Sequence, residues 1–273
     1  MIGKCLFPVA GYGTRFLPAT KSMPKEMLPV VNKPLVQYGV EEAIEAGMST
    51  IGFVTGRGKR AIADYFDISY ELEHQIAGSD KEASLEGIRR LLDRGVFTMV
   101  RQREMKGLGH AILTGEPLLG NEPFGVVLSD DLCLNEGPGV LTQMAELFRQ
   151  FRCSIVAIQE VPMESVSNYG VIAGEPLKNG LYRVEDMVEK PAPQDAPSNL
   201  AIIGRYILTP DIFDIIRETP PGKNDEVQLT DTLLTQAERG CVLAYKFEGR
   251  RFDCGSVSGY IEAVNFVYEN VYL

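Results

Sequence analysis

The chain has 273 residues, 45% of them hydrophobic and 23% charged, and carries a net charge of −10. That length and balance describe a globular protein with material for one large core, either as one domain or as one domain with an extension. An acidic surface repels nucleic acid and anionic membranes, so neither is expected as a partner. No stretch approaches the roughly 18 apolar residues of a membrane span, and no leader-like segment opens the chain. The five cysteines (Cys5, Cys133, Cys153, Cys241 and Cys254) form no C-x-x-C pair. They read as reduced core residues, which makes the cytoplasm the expected location.

Taken in chain order, Lys4–Val9 predicts a buried strand that runs into a glycine turn at Gly11 and Gly13. Glycine there lets the backbone turn tightly and come close to a ligand, and successive N–H groups in such a turn form an anion cradle. Between Met1 and Lys33 the basic residues Lys4, Arg15, Lys21, Lys25 and Lys33 meet a single acid, Glu26. In an acidic protein such a local gathering of cations points to phosphate. The turn begins like G-x-G-x-x-G, but Phe16 stands at the third glycine. Pro18, Pro24, Pro29 and Pro34 also postpone the next helix to Leu35–Ala46. A dinucleotide fold is thereby disfavoured, and no P-loop or G-x-S-x-G sequence is present.

Further strands are expected at Thr50–Thr55, Phe97–Val100, Phe124–Ser129, Ser154–Glu160, Leu200–Leu208 and Val242–Phe247. Helices are expected at Lys81–Arg94, His110–Leu118, Val140–Phe151, Glu226–Arg239 and Val257–Tyr268. The alternation predicts an α/β fold with a largely parallel sheet covered by helices on both faces. Asn179-Gly180, between Gly170–Leu177 and Leu181–Val188, predicts a hairpin and hence a smaller mixed or antiparallel sub-sheet in the second half. Pro191–Pro197 reads as an exposed loop, and no linker divides the chain. The Tyr260, Ile261, Val264, Val267, Tyr268, Val271 stripe is expected to pack into the core.

Ligands of open α/β sheets bind beyond the carboxyl ends of the strands. Gly11, Gln102, Asp130 and Asp253 all follow predicted strands and fall at that edge. Asp130 and Asp253 could share one Mg²⁺, which binds through one or two carboxylates plus phosphates. The chain has two histidines, His74 and His110, too few and too far apart for zinc or for histidine base chemistry. His110 is expected to pack or hydrogen-bond near a helix start, beside a second glycine turn at Lys106-Gly-Leu-Gly.

Together, Ala10-Gly-Tyr-Gly-Thr-Arg15 and Pro24-Lys-Glu-Met-Leu-Pro29 resemble the signature of the sugar-1-phosphate nucleotidyltransferase family. Gln102 with Lys106–His110, Tyr169-Gly170, Glu189-Lys190-Pro191 and Gln228-Leu-Thr-Asp231 resemble its uridylyltransferase branch. Ser129-Asp130-Asp131 departs mildly from the family's usual strand end but keeps the aspartate. The resemblance implies a Rossmann-like single domain over residues 1–273, with about 1–160 binding the nucleotide and about 161–273 the sugar. It implies uridylyl transfer from UTP to glucose 1-phosphate with Mg²⁺, in a homo-oligomer (dimer or tetramer). Ala10, Gly11, Gly13, Thr14 and Glu26 would attend the nucleotide, and Gln102 and Gly107 would read its base. Arg15 and Lys25 would be catalytic, gripping the triphosphate. Asp130 and Asp253 would hold the metal, while Gly170, Glu189, Lys190 and Gly204 would bind the sugar phosphate.

Overall fold

Cys5, Leu6, Phe7 and Val9 of the first strand are inaccessible to solvent, so this strand has to lie inside a sheet covered on both faces. The computed structural model describes residues 2–273 and builds that sheet. In chain order the strands are β1 (Lys4–Val9), β2 (Pro29–Val30), β3 (Lys33–Pro34), β4 (Thr50–Thr55), β5 (Val96–Arg101), β6 (Phe124–Val127) and β7 (Asp131–Leu134). They continue with β8 (Ser154–Glu160), β9 (Gly170–Pro176), β10 (Leu181–Glu189), β11 (Leu200–Leu208), β12 (Val242–Lys246) and β13 (Arg250–Asp253). Nine of them form one sheet in the order β5-β4-β1-β6-β11-β8-β12-β10-β9.

β5, β4, β1 and β6 are mutually parallel, so their carboxyl ends share one edge. β11 enters antiparallel to β6, and β8 and β12 run parallel to each other. The predicted hairpin is β9–β10, with Asn179 and Gly180 both at positive φ as a primed turn requires. The antiparallel part expected in the second half is therefore present, joined edge to edge with the parallel half. β9 also pairs back onto β11. The strands β11-β8-β12-β10-β9 thus close a circuit that brings Gly170 and Glu189 to the region where β6 ends.

Two apolar layers cover the sheet. Helices Leu35–Glu45 and Val140–Phe151 contribute Val36, Val40, Leu141 and Met144 to one face, each essentially inaccessible to solvent. Helices Gly107–Leu119, Ile212–Glu218 and Leu229–Arg239 cover the other with Ile112, Ile212 and Leu233. Burying each such side chain is worth about 1.5–3 kcal/mol. A third cluster joins the C-terminal helix Val257–Val267 to β7, β13 and the proline-rich segment through Ala263, Val267, Leu132, Phe252 and Leu28. That helix thereby holds β13, which carries Asp253, against β7, which follows Asp130.

Several boundaries differ from expectation for identifiable reasons. The expected helix at Lys81–Arg94 starts as a 3₁₀ segment, Asp80–Leu85, and becomes α-helical only at Glu86. The helix expected from Glu226 begins at Leu229, because Val227 bonds across to Lys106 and Gly109 instead. Helices Arg60–Tyr65 and Tyr70–Ile76 escaped notice because the first buries only Ile62 and the second buries nothing. Helix Ile212–Glu218 was also not expected. All five cysteines are free thiols, but Cys241 is exposed, not in the core. The C-terminal stripe is also corrected: Val267 is buried, whereas Ile261, Tyr268 and Val271 are 52%, 50% and 68% exposed.

One buried polar network ties the fold to the site. Arg205, 1% exposed on β11, gives Nε and Nη2 to Glu42 Oε2 at 3.0 and 2.8 Å. Glu42 Oε1 accepts from the Leu141 N–H, and Arg205 Nη1 donates to the Leu128 and Gly204 carbonyls. Leu128 and Gly204 therefore sit on a fixed frame directly before the turn that presents Asp130.

Candidate active site

The glycine loop leaves β1 at Ala10. A Cβ added to Gly11 would meet no atom within 4 Å beyond its chain neighbours, so close packing at that position does not require glycine; open space above the backbone is what a ligand needs. Gly13 is different. Its φ is +66°, and a Cβ would lie 3.0 Å from Lys25 Cβ. Thr20 Oγ1 donates to the Gly13 carbonyl at 2.7 Å and fastens the loop over the Lys25 stem. Thr14 and Arg15 follow in a short 3₁₀ turn, exposed, with Arg15 Nη1 on the Gly255 carbonyl at 3.2 Å.

Asp130 and Asp131 follow β6 in a tight turn, and the two carboxylates divide their work. Asp131 Oδ2 accepts from the Gly204 N–H at 2.8 Å and Oδ1 accepts from Arg251, so both of its oxygens are engaged in holding the turn. Asp130 faces the cleft, where its Oδ2 lies 2.6 Å from Lys25 Nζ. Burial pushes the Asp130 carboxyl up, but Lys25, by charge and hydrogen bond, and then Arg15 outweigh it and hold the group below its ordinary value. Burial likewise opposes charge on Lys25, and Asp130 with Glu26 reverses that and raises it. Both groups are therefore ionised at neutral pH.

Asp253 arrives on β13, directly opposite Asp131 on β7. Sequence expects it after the strand at Val242–Phe247, and it lies there on a further short strand of this two-stranded unit. Its Oδ2 accepts from Tyr169 Oη at 2.9 Å and its Oδ1 from the Gly255 N–H at 3.1 Å. Gly255 shows how closely these groups converge. A Cβ built there would lie 3.0 Å from Asp253 Oδ1, 3.2 Å from Arg15 Nη1 and 3.3 Å from Asp130 Oδ2. Two carboxylates and a guanidinium thus surround one small space that only glycine leaves open. Among the described residues no cluster of three or more His, Cys, Asp or Glu forms a cation cage. Two carboxylates with room for phosphate oxygens fit Mg²⁺ bound together with a substrate.

The sugar-side candidates lie across the same cleft. It has a volume of about 890 Å³, and Arg15, Asp130, Gly170, Glu189, Lys190, Gly204 and Asp253 all line it. Glu189 Oε2 accepts from Thr230 Oγ1 at 2.8 Å, and Oε1 lies 3.0 Å from Lys190 Nζ. Lys190 takes a left-handed backbone, φ 46°, which turns the chain sharply at the end of β10. A Cβ on Gly170 would strike Thr230 at 2.7 Å, and one on Gly204 would strike Leu128 and Asp131 at 2.6 and 2.7 Å. These glycines are therefore required by close packing around the carboxylates, whatever their contact with a ligand.

Ala10, Gly11, Gly13, Thr14, Lys25, Gln102 and Gly107 are not part of that lining, and Lys25 meets it through Asp130. Gln102 directly follows β5 and Gly11 lies two residues beyond β1, so both stand at the carboxyl ends of parallel strands, with β4 between them. Glu26 is not brought to the ligand face. It is 2% exposed and its Oε2 lies 2.7 Å from Lys59 Nζ. Burial raises the Glu26 carboxyl and lowers the Lys59 ammonium below their ordinary behaviour, even though each supports the other's charge. Sequence reasoning missed Lys59, Asp131, Thr230 and Arg251. Arg251 had a readable signal: two residues before Asp253 on one strand, it faces the same side, and its guanidinium lies over the Tyr169 ring at 4.9 Å.

The sequence model of the nucleotidyl transferase family matches residues 8–270. The chain belongs to this family. It is 72% identical over 273 residues to the UTP–glucose-1-phosphate uridylyltransferase of Pseudomonas aeruginosa, covering 100% of this chain and 98% of that relative. A solved UDP-glucose pyrophosphorylase in complex with UDP-glucose superposes with a TM-score of 0.92 at 61% identity, covering 98% of this chain and 99% of the other. A UTP-bound UGPase from Acinetobacter baumannii superposes at 0.91 with 38% identity, covering 100% and 96%. The mixed sheet and its flanking helices match the overall architecture of these solved structures.

Proposed function

We propose that this chain transfers the uridylyl group of UTP to glucose 1-phosphate, giving UDP-glucose and pyrophosphate. The observation that carries the proposal is the convergence of Arg15, Asp130 and Asp253, with Lys25 paired to Asp130, in a cleft that continues to Glu189 and Lys190. The activity of the 72% identical relative and the ligands bound by the solved neighbours support it.

The reaction joins two polyanions. At about 4 Å each pair of unit charges repels by on the order of 4 kcal/mol at an effective dielectric near 20. Arg15 and Lys25 offset this on the nucleotide side, and Lys190 offsets it on the sugar-phosphate side. A non-bridging oxygen of glucose 1-phosphate forms the new bond to the α-phosphorus, while the α–β bridging bond breaks and its electron pair leaves with pyrophosphate. That attacking oxygen is already ionised at neutral pH, so no side chain has to remove a proton. Catalysis then consists of alignment and charge stabilisation. Asp130 and Asp253 would hold Mg²⁺, whose charge neutralises the phosphate oxygens on which negative charge develops. Residues up to about 160 serve the nucleotide and later ones the sugar. The exposed Ile261, Tyr268 and Val271 support a second copy of the chain as partner.

Substrate choice is tested by following pyrophosphate release with UTP, dTTP, CTP and ATP, each against glucose 1-phosphate, galactose 1-phosphate and N-acetylglucosamine 1-phosphate. UTP with glucose 1-phosphate is expected to give the highest kcat/KM. A higher value for any other pair would replace the proposed substrates.

A further inference from the structure

His110 lies outside the residues assigned to catalysis, yet it touches Gln102, the side chain proposed to read the base. Gln102 is 5% exposed, and its backbone N–H is bonded to the Thr55 carbonyl at 2.9 Å. Its Nε2 lies 2.8 Å from His110 Nδ1 and 3.4 Å from the Gly107 carbonyl. A carbonyl oxygen can only accept, so the Gln102 atom between these two neighbours is the NH₂ end. His110 Nδ1 must then accept as well, which makes the ring neutral with its proton on Nε2. Burial, and next the charge of Lys106, lower the basicity of this imidazole and agree with a neutral ring. Among the described residues no hydrogen bond reaches Gln102 Oε1, so this acceptor is left for a ligand.

The platform is stiff. Gly107 sits at φ +89°, and a Cβ on it would strike Glu226 Cβ at 2.8 Å and the Val227 carbonyl at 2.9 Å. Gly109 and Lys106 are bonded to Val227 across that contact.

We propose that His110 is a positioning residue for base choice, locking the Gln102 amide with Oε1 outward so that it accepts a hydrogen from the N3 of uracil. Cytosine carries a lone pair at N3 and would face this oxygen without a hydrogen bond. An amide turned by half a rotation would present Nε2 and reverse the preference, and without His110 only the long 3.4 Å contact with the Gly107 carbonyl separates the two orientations. The 5-methyl of thymine lies away from this edge, so the device sorts uridine from cytidine nucleotides and not from thymidine ones. The proposal rests on Gln102 reading the base.

The test measures kcat and KM for UTP and CTP in His110→Ala, His110→Asn and Gln102→Ala. His110→Ala, which keeps a good helix former in Gly107–Leu119, should raise KM for UTP and narrow the UTP-over-CTP ratio of kcat/KM, each by about tenfold, the scale of one hydrogen bond. Turnover at saturating UTP and the KM for glucose 1-phosphate should stay put. His110→Asn, which offers an oxygen acceptor near the Nδ1 position, should restore most of the ratio. An unchanged ratio in His110→Ala, or an asparagine variant no better than alanine, overturns the proposal. Gln102→Ala separates the two failures. If it leaves the ratio intact, Gln102 does not read the base and both ideas fall; if it narrows the ratio and His110→Ala does not, only the role of His110 falls.

Discussion

Asp130→Ala is expected to lower turnover by about a thousandfold or more and to remove its dependence on magnesium concentration, with little change in melting temperature. The scale follows from losing one of two carboxylates that can neutralise phosphate charge through a cation. Asp131, one residue on, does not compensate. Its two oxygens are taken by Gly204 and Arg251, and freeing either would loosen the turn. The substitution also releases Lys25 from its 2.6 Å partner, so the loss is not one of positive charge. Binding of Mn²⁺ in the presence of UTP should weaken in parallel, an independent readout. A variant with unchanged magnesium titration and unchanged Mn²⁺ binding would remove Asp130 from the metal site.

Lys25→Ala should reduce kcat by a factor of about 10² to 10³, the scale for one preorganised donor aimed at developing charge. Its effect on the KM for glucose 1-phosphate should be small, because Lys25 lies on the triphosphate side. The fold should survive, since the loop is anchored by the Thr20 bond to Gly13 and by the buried Glu26–Lys59 pair, neither of which uses the Lys25 ammonium. Lys25→Arg is expected to recover only part of the rate, because a guanidinium cannot place a compact charge at the same point. Near-normal turnover in Lys25→Ala would end its assignment as a catalytic residue.

Much of this was legible in the sequence because the chemistry is concentrated in short local patterns. The Gly11–Lys25 segment declares its own role, with glycines that open the backbone and cations in an acidic chain. Fully apolar strands such as Phe124–Val127 announce a sheet covered on both faces. Asp130 and Asp253 were visible at strand ends and expected at one edge, but the way they converge was not legible. It depends on the pairing of β7 with β13 and on Gly255 leaving its side-chain position empty. The Glu26–Lys59 pair shows the opposite limit. Within Pro24–Pro29 the glutamate looks like a ligand-facing neighbour of Lys25, and only the packing of the loop after β4 turns it inward. The closed circuit of β11, β8, β12, β10 and β9 was likewise beyond local reading, since it rests on a two-residue contact between β9 and β11. Gln102 and His110 each stand out in the sequence, yet their joint meaning lies in a 2.8 Å contact that no spacing rule supplies.

The proposed reaction is attack at the α-phosphorus of the nucleotide, and following the phosphorus itself tests that most directly. The purified protein, with Mg²⁺ and glucose 1-phosphate, would be given UTP labelled with ³²P at the α position in one reaction and at the γ position in another. The α label is predicted in UDP-glucose and the γ label in pyrophosphate, with both products absent when glucose 1-phosphate is withheld. Recovery of the α label in UMP, or of the γ label in inorganic phosphate or on the sugar, would contradict it.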